Sequence, residues 1–172
     1  IRLHFNTELS KDSFIEIGGK TEKLKLSQAK IQSSTAKGNR NIIFFDADDN
    51  DFSSTSKKIK EEASKLNLQF DSVFLFPDNK SNGNLENLLR GCIHKDNINL
   101  LDCIQGYNKC KSDLSLKLSR KIDSKEELFI YHGSFEESGD SKGTKRNYLI
   151  KHIWNLECDE AKALKTFLKE TL

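Results

Sequence analysis

The chain has 172 residues, of which 35% are hydrophobic and 31% charged, and its formal net charge is +2. That length suits one domain with a sizeable core, and no apolar run approaches the roughly 18 residues that would cross a bilayer. A charge this near balance excludes the strong positive field that would by itself demand a nucleic-acid partner.

Ile1–Phe5 is too short an apolar stretch for a signal peptide and runs into polar residues, so a cytoplasmic protein is expected. The four cysteines, Cys92, Cys103, Cys110 and Cys158, contain no CxxC pair, and no second close pair joins Cys92 and His94 to complete a zinc site. Reduced, buried, structural thiols are therefore expected. Methionine is absent, which points to residues missing ahead of Ile1.

In chain order, Phe14–Ile17 reads as a short strand ending in the Gly18-Gly19 turn. Leu24, Leu26 and Ile31 suggest a modest helix that Gly38-Asn39 breaks, and a buried strand follows over 42–46. Ser53 and Ser54 suit the cap of a helix over 55–67, with Ile59, Ala63 and Leu66 on one face. Val73–Phe76 is the next strand, stopped by Pro77-Asp78-Asn79. Strand, helix and strand over about 35 residues make a βαβ unit, whose two strands should run parallel.

Beyond Asn84 the pattern turns helical, with Leu85, Leu88 and Leu89 as a stripe that Gly91 interrupts. Ile98–Cys110 reads as a helix with Cys103 and Cys110 on one face. Residues 113–128 fit a strand period first and a helix later, and Phe129–His132 reads as a strand. Glu136–Thr144 is a loop and the most flexible segment expected. Trp154, Leu156, Leu164, Phe167 and Leu168 suggest a closing helix docked on the core. No repeat, linker or second domain stands out.

The most informative stretch is Ile42-Ile43-Phe44-Phe45-Asp46-Ala47-Asp48-Asp49-Asn50-Asp51. An apolar strand runs straight into four carboxylates, and alternation along a strand would put Asp46 and Asp48 on one face, roughly 6–7 Å apart. The carboxyl end of a strand in an open α/β sheet is where ligands bind. Two carboxylates converging there repel unless a cation lies between them, and a hard divalent ion, Mg²⁺ or Mn²⁺, suits oxygen ligands and water. A calcium loop of EF-hand type fails, because Asp51 stands where its glycine should and Lys57 where its glutamate should. A haloacid dehalogenase-like phosphatase needs a Ser or Thr at a later strand end, and Phe74-Leu75-Phe76-Pro77 supplies none. A nucleotide-sugar transferase usually needs a longer chain.

The wider series is more specific. Phe14-Ile15-Glu16-Ile17-Gly18-Gly19-Lys20, Ile42–Asp48, Phe74-Leu75-Phe76-Pro77-Asp78-Asn79, Gly83-Asn84-Leu85-Glu86, Cys103, Tyr107 and Cys110, then Asn147-Tyr148 and Ile153-Trp154-Asn155-Leu156 fall in one order. Together they resemble a small bacterial Toprim-like family of unknown function, from about residue 12 onward. The resemblance implies a Toprim-like α/β fold, a three-layer sandwich with a mainly parallel central sheet, and a single domain over 1–172 lacking part of its N-terminal strand and helix. In Toprim domains of topoisomerases, primases and overcoming-lysogenization-defect nucleases, a first-strand glutamate and a later DxD hold Mg²⁺ for phosphoryl transfer. Asp46 and Asp48 match that DxD, and Glu86 resembles the additional acid of the nuclease-type relatives, as a third ligand or a base. The first-strand glutamate has no clear counterpart; Glu8, after Arg2–Asn6, is the one acid in a comparable place, with no helix separating it from the next strand.

Each of these residues also has a plainer role. Asp46 and Asp48 suit a strand end that caps the following helix, Asp49 and Asp51 read as solvated or capping, and Glu86 is an ordinary first-turn helix acid. Lys20 after two glycines can meet a phosphate, although the spacing is not that of a P-loop. Lys142, Lys145, Arg146 and Lys151 form a basic cluster that serves either as a nucleic-acid phosphate contact or as a solvated face. Two functions follow: Mg²⁺-dependent, nuclease-like phosphoryl transfer on DNA or RNA, or a non-catalytic module binding nucleic acid, nucleotide or a protein partner.

Overall fold

A computed structural model of the chain describes residues 13–15, 17, 23–49, 52–114, 120–136 and 147–172. These residues fall into two compact units, one drawn from Ile1–Leu85 and Lys162–Leu172 and the other from Glu86–Ala161.

In the first unit, α1 (Leu24–Ala36) leads into β1 (Ile42–Asp46), α2 (Phe52–Lys65) and β2 (Ser72–Phe76), and α6 (Lys162–Thr171) returns to it from the far end of the chain. β1 and β2 pair in parallel, from Ile42 opposite Ser72 to Asp46 opposite Phe76. The expected βαβ unit is therefore present, as a small open two-stranded sheet in a mixed α/β chain. Strand alternation explains the packing. Ile43, Phe45 and Leu75 point into a core with Leu24 and Ile31 of α1 and Ile59 and Ala63 of α2. Phe44, Phe74 and Phe76 point the other way, where Phe167 of α6 stacks edge-on against Phe44 at 5.8 Å and lies 5.1 Å from Phe74. Fully burying one such side chain stabilises the fold by about 1.5–3 kcal/mol.

Leu24, Ser27 and Ile31 are the buried stripe of α1, and Gln28 ties that helix to α2's exit by donating to the Leu66 carbonyl at 2.9 Å. Gly38, at φ +76°, turns the chain where an L side chain would be strained. The crossover helix α2 begins at Phe52, so Ser53 and Ser54 lie in its first turn rather than ahead of it. The expected strand at Phe14–Ile17 lies partly outside the described residues; Ile15 and Ile17 pack, partly buried, against the core.

The second unit holds α3 (Leu85–Gly91) from Glu86 onward, a 3₁₀ turn over Lys95–Asn97, α4 (Asn99–Asp113), α5 (Ser124–Gly133) and a 3₁₀ turn over Asp159–Ala161. Its core gathers Ile93, Leu101, Ile104, Leu128, Tyr131, Ile153 and Trp154. Two expectations are corrected here. Phe129–His132 is not a strand but the second half of α5. The β-prone residues mislead because the helix is set upstream: Asp123 accepts from the Glu126 N–H at 2.8 Å while the Glu126 carboxylate accepts from the Asp123 N–H at 3.2 Å, a capping box. Leu128, Tyr131 and His132 then share one buried face at helical spacing. Trp154 and Leu156 do not belong to the closing helix, which starts at Lys162. Trp154 instead bridges Ile93 and, as expected, is core, with its indole N–H donating to His132 Nδ1 at 3.1 Å. That bond fixes Nδ1 as an acceptor. Among the described residues, no helix is long and apolar enough to cross a membrane.

Candidate site at the carboxyl end of the parallel strands

The last residue of β1, Asp46, stands opposite Phe76 at the carboxyl end of both strands. Its Oδ1 accepts from the Leu85 N–H at 2.8 Å, across 39 residues of sequence. Ala47, 1% exposed, continues the ladder by donating to the Phe76 carbonyl at 3.1 Å. Asp48 then leaves extended geometry at φ +54°. It exchanges two backbone bonds with Gly83: its N–H donates to the Gly83 carbonyl at 2.7 Å and its carbonyl accepts at 2.8 Å. Strand alternation thus ends at Asp46, and the exposed Asp48 side chain is set by a left-handed turn clamped to Gly83.

The loop after β2 leads from Phe76 to Gly83. Asp78 accepts from the N–H groups of Lys80 and Ser81 at 2.9 and 2.7 Å and from the Ser81 hydroxyl at 2.9 Å. Partial burial pushes its carboxyl up, but those bonds and the Lys80 charge outweigh it and hold Asp78 below the usual carboxylate range. Asn79, at φ +66°, closes the turn on β2 by accepting from the Leu75 N–H at 3.0 Å and donating its own N–H to the Leu75 carbonyl at 2.8 Å. A hollow of about 510 Å³ is lined by Phe52, Ser53, Ser56, Lys57, Lys60 and Glu61 of α2.

The family model for the protein of unknown function DUF3226 matches residues 2–172. The chain belongs to that family. No curated protein and no solved structure matches the chain.

The site in this family member therefore rests on its own residues. Asp46, Ala47 and Asp48 form one tight corner with Gly83 and Leu85, and Asp49 follows on the surface. Glu86 lies in the first turn of α3, half-buried, and belongs to the second unit. Lys20, Lys145 and Arg146 lie outside the described residues, as do Glu8, Asp51 and Lys142. Among the described residues, no group of three or more His, Cys, Asp or Glu side chains is arranged to hold a metal. Asp48 is exposed and Asp46 half-buried.

Sequence reading missed the Asp46 to Leu85 bond and the clamp on Asp48. Its available signal was Gly83-Asn84 directly before a helical stripe, a turn that returns to the strand end. Asp78 and Asn79 were legible only as a stop to β2, although Asp and Asn after a proline are the residues that bond their own backbone.

Proposed function

We propose that the protein is a Toprim-like, Mg²⁺- or Mn²⁺-dependent phosphoryl-transfer protein with nuclease-like action on DNA or RNA. The observation that carries the reading is an aspartate at the carboxyl end of a parallel strand, tied into a corner with a second aspartate next but one in sequence. The finer architecture, a three-layer sandwich with a mainly parallel sheet, is part of the same proposal.

Asp46 and Asp48 would hold the cation by their carboxylates, which fit a hard ion by chemistry and by exposure. When bound, such an ion neutralises charge on a phosphoryl group and lowers the pKa of a water. The chain's own part is to position. The Leu85 N–H orients Asp46 and the Gly83 clamp fixes the backbone of Asp48. Lys20, Lys145 and Arg146 are proposed to meet phosphate oxygens.

Calorimetric titration of Mg²⁺ and Mn²⁺ tests this on the wild type, Asp46→Asn and Asp48→Asn. Binding at or below millimolar concentration is expected in the wild type, with a loss of at least tenfold in each variant. A wild type that binds neither ion at millimolar concentration ends the reading. A second reading, a non-catalytic binding module, draws on the bond by which Asp46 already anchors Leu85 as a structural acceptor. Metal binding without cleavage of single- or double-stranded substrates would favour it.

A further inference from the structure

Cys92 and Cys158 are 66 residues apart in sequence, yet their sulfurs lie 2.8 Å from one another. Neither is in a disulfide, and Cys92 is fully buried while Cys158 is half-buried. The approach is built into the backbone of the second unit. Asn155 donates its N–H to the Cys92 carbonyl at 2.7 Å, and His94 donates to the Ile153 carbonyl at 3.0 Å, the two rungs around the Ile93–Trp154 bridge. Cys158 is folded back on the same turn by donating its N–H to Asn155 at 3.1 Å. Gly91, just before Cys92, presses on the same segment: a Cβ there would stand 2.4 Å from Glu160 Cγ and 2.9 Å from its Cβ. Cys103 and Cys110, by contrast, are exposed on α4.

We propose that Cys92 and Cys158 form a reversible disulfide, a redox-modification site independent of the phosphoryl-transfer reading. The oxidant class is a low-molecular-weight disulfide, with oxidised glutathione as the probe. The accessible Cys158 gives up its proton and its thiolate attacks one glutathione sulfur. A mixed disulfide forms and one reduced glutathione leaves. Cys92, held at contact distance, loses its proton and attacks the Cys158 sulfur, releasing the second reduced glutathione. The protein dithiol is oxidised by two electrons and oxidised glutathione is reduced to two thiols. The bond would weld the end of α3 to the 153–158 turn and close a long loop in the unfolded chain.

The test uses the full chain with Cys103→Ser and Cys110→Ser, equilibrated natively across ratios of reduced to oxidised glutathione. A non-reducing digest should yield a crosslinked peptide joining Cys92 to Cys158, and the oxidised form should melt about 10 °C above the reduced one. Cys158→Ser should abolish both. Gly91→Ala, which pushes the segments apart, should require a more oxidising mixture, by roughly tenfold in the ratio, to reach half-oxidation. Failure to form the crosslink under native conditions, or its formation only in denaturant, overturns the proposal. So does one zinc ion per chain in purified protein that Cys158→Ser removes, because the thiols would then be metal ligands.

Discussion

Asparagine in place of Asp46 keeps an oxygen acceptor for the Leu85 N–H but removes the charge that a cation needs. Asp46→Asn should therefore leave the urea midpoint nearly unchanged, whereas Asp46→Ala leaves that N–H without its acceptor and should cost about 1–2 kcal/mol. Equal losses in the two variants would show that charge, not the bond, holds the corner. Asp48 sits at φ +54°, so Asp48→Gly should be neutral or slightly stabilising and Asp48→Val should cost about 1–2 kcal/mol, read by denaturant unfolding. Asp78 has a defined pH signature. Its folded-state pKa lies below the ordinary 3.8, so as pH falls the unfolded chain takes up the proton first. Its contribution is whole above the unfolded value and is lost as pH falls through the folded one. Asp78→Asn should flatten the acid limb of the stability profile there and leave the neutral region unaltered in slope.

At the scale of elements, α5 shows how a short polar signal overrides side-chain preference. Phe129, Ile130 and Tyr131 favour a strand on composition, but Asp123 and Glu126 satisfy the first amides of a helix before those residues are reached. Asp123→Ala should cost about 1 kcal/mol in chemical unfolding with no change in the m-value. A null effect would assign the helix to tertiary packing of Leu128 and Tyr131 instead. The parallel pair β1–β2 was legible because its apolar runs are short and bounded by turn residues, with an amphipathic helix between them. Its carboxyl end was legible in residue type but not in geometry, since alternation predicts faces only while the backbone stays extended.

For the whole molecule, the first unit is discontinuous in sequence, completed by α6 from the last residues of the chain. Phe74 is wholly buried and meets Phe167, so Phe167→Ala should cost about 2–3 kcal/mol and expose apolar surface to a dye such as ANS. An unchanged melting temperature would mean that α6 contributes little to the unit. Local order in the residues determined the βαβ core, the helix over Leu24–Ala36, the turn at Gly38 and the presence of carboxylates at the end of β1. These follow from periodicity, glycine and turn chemistry, which act over a few residues. Tertiary structure alone decided that Asp46 holds Leu85, that Asp48 is clamped by Gly83, that Trp154 bridges Ile93 and that Cys92 touches Cys158. Each of those contacts joins residues 35 or more positions apart, and neither propensity nor spacing encodes which distant partner a folded chain brings into reach.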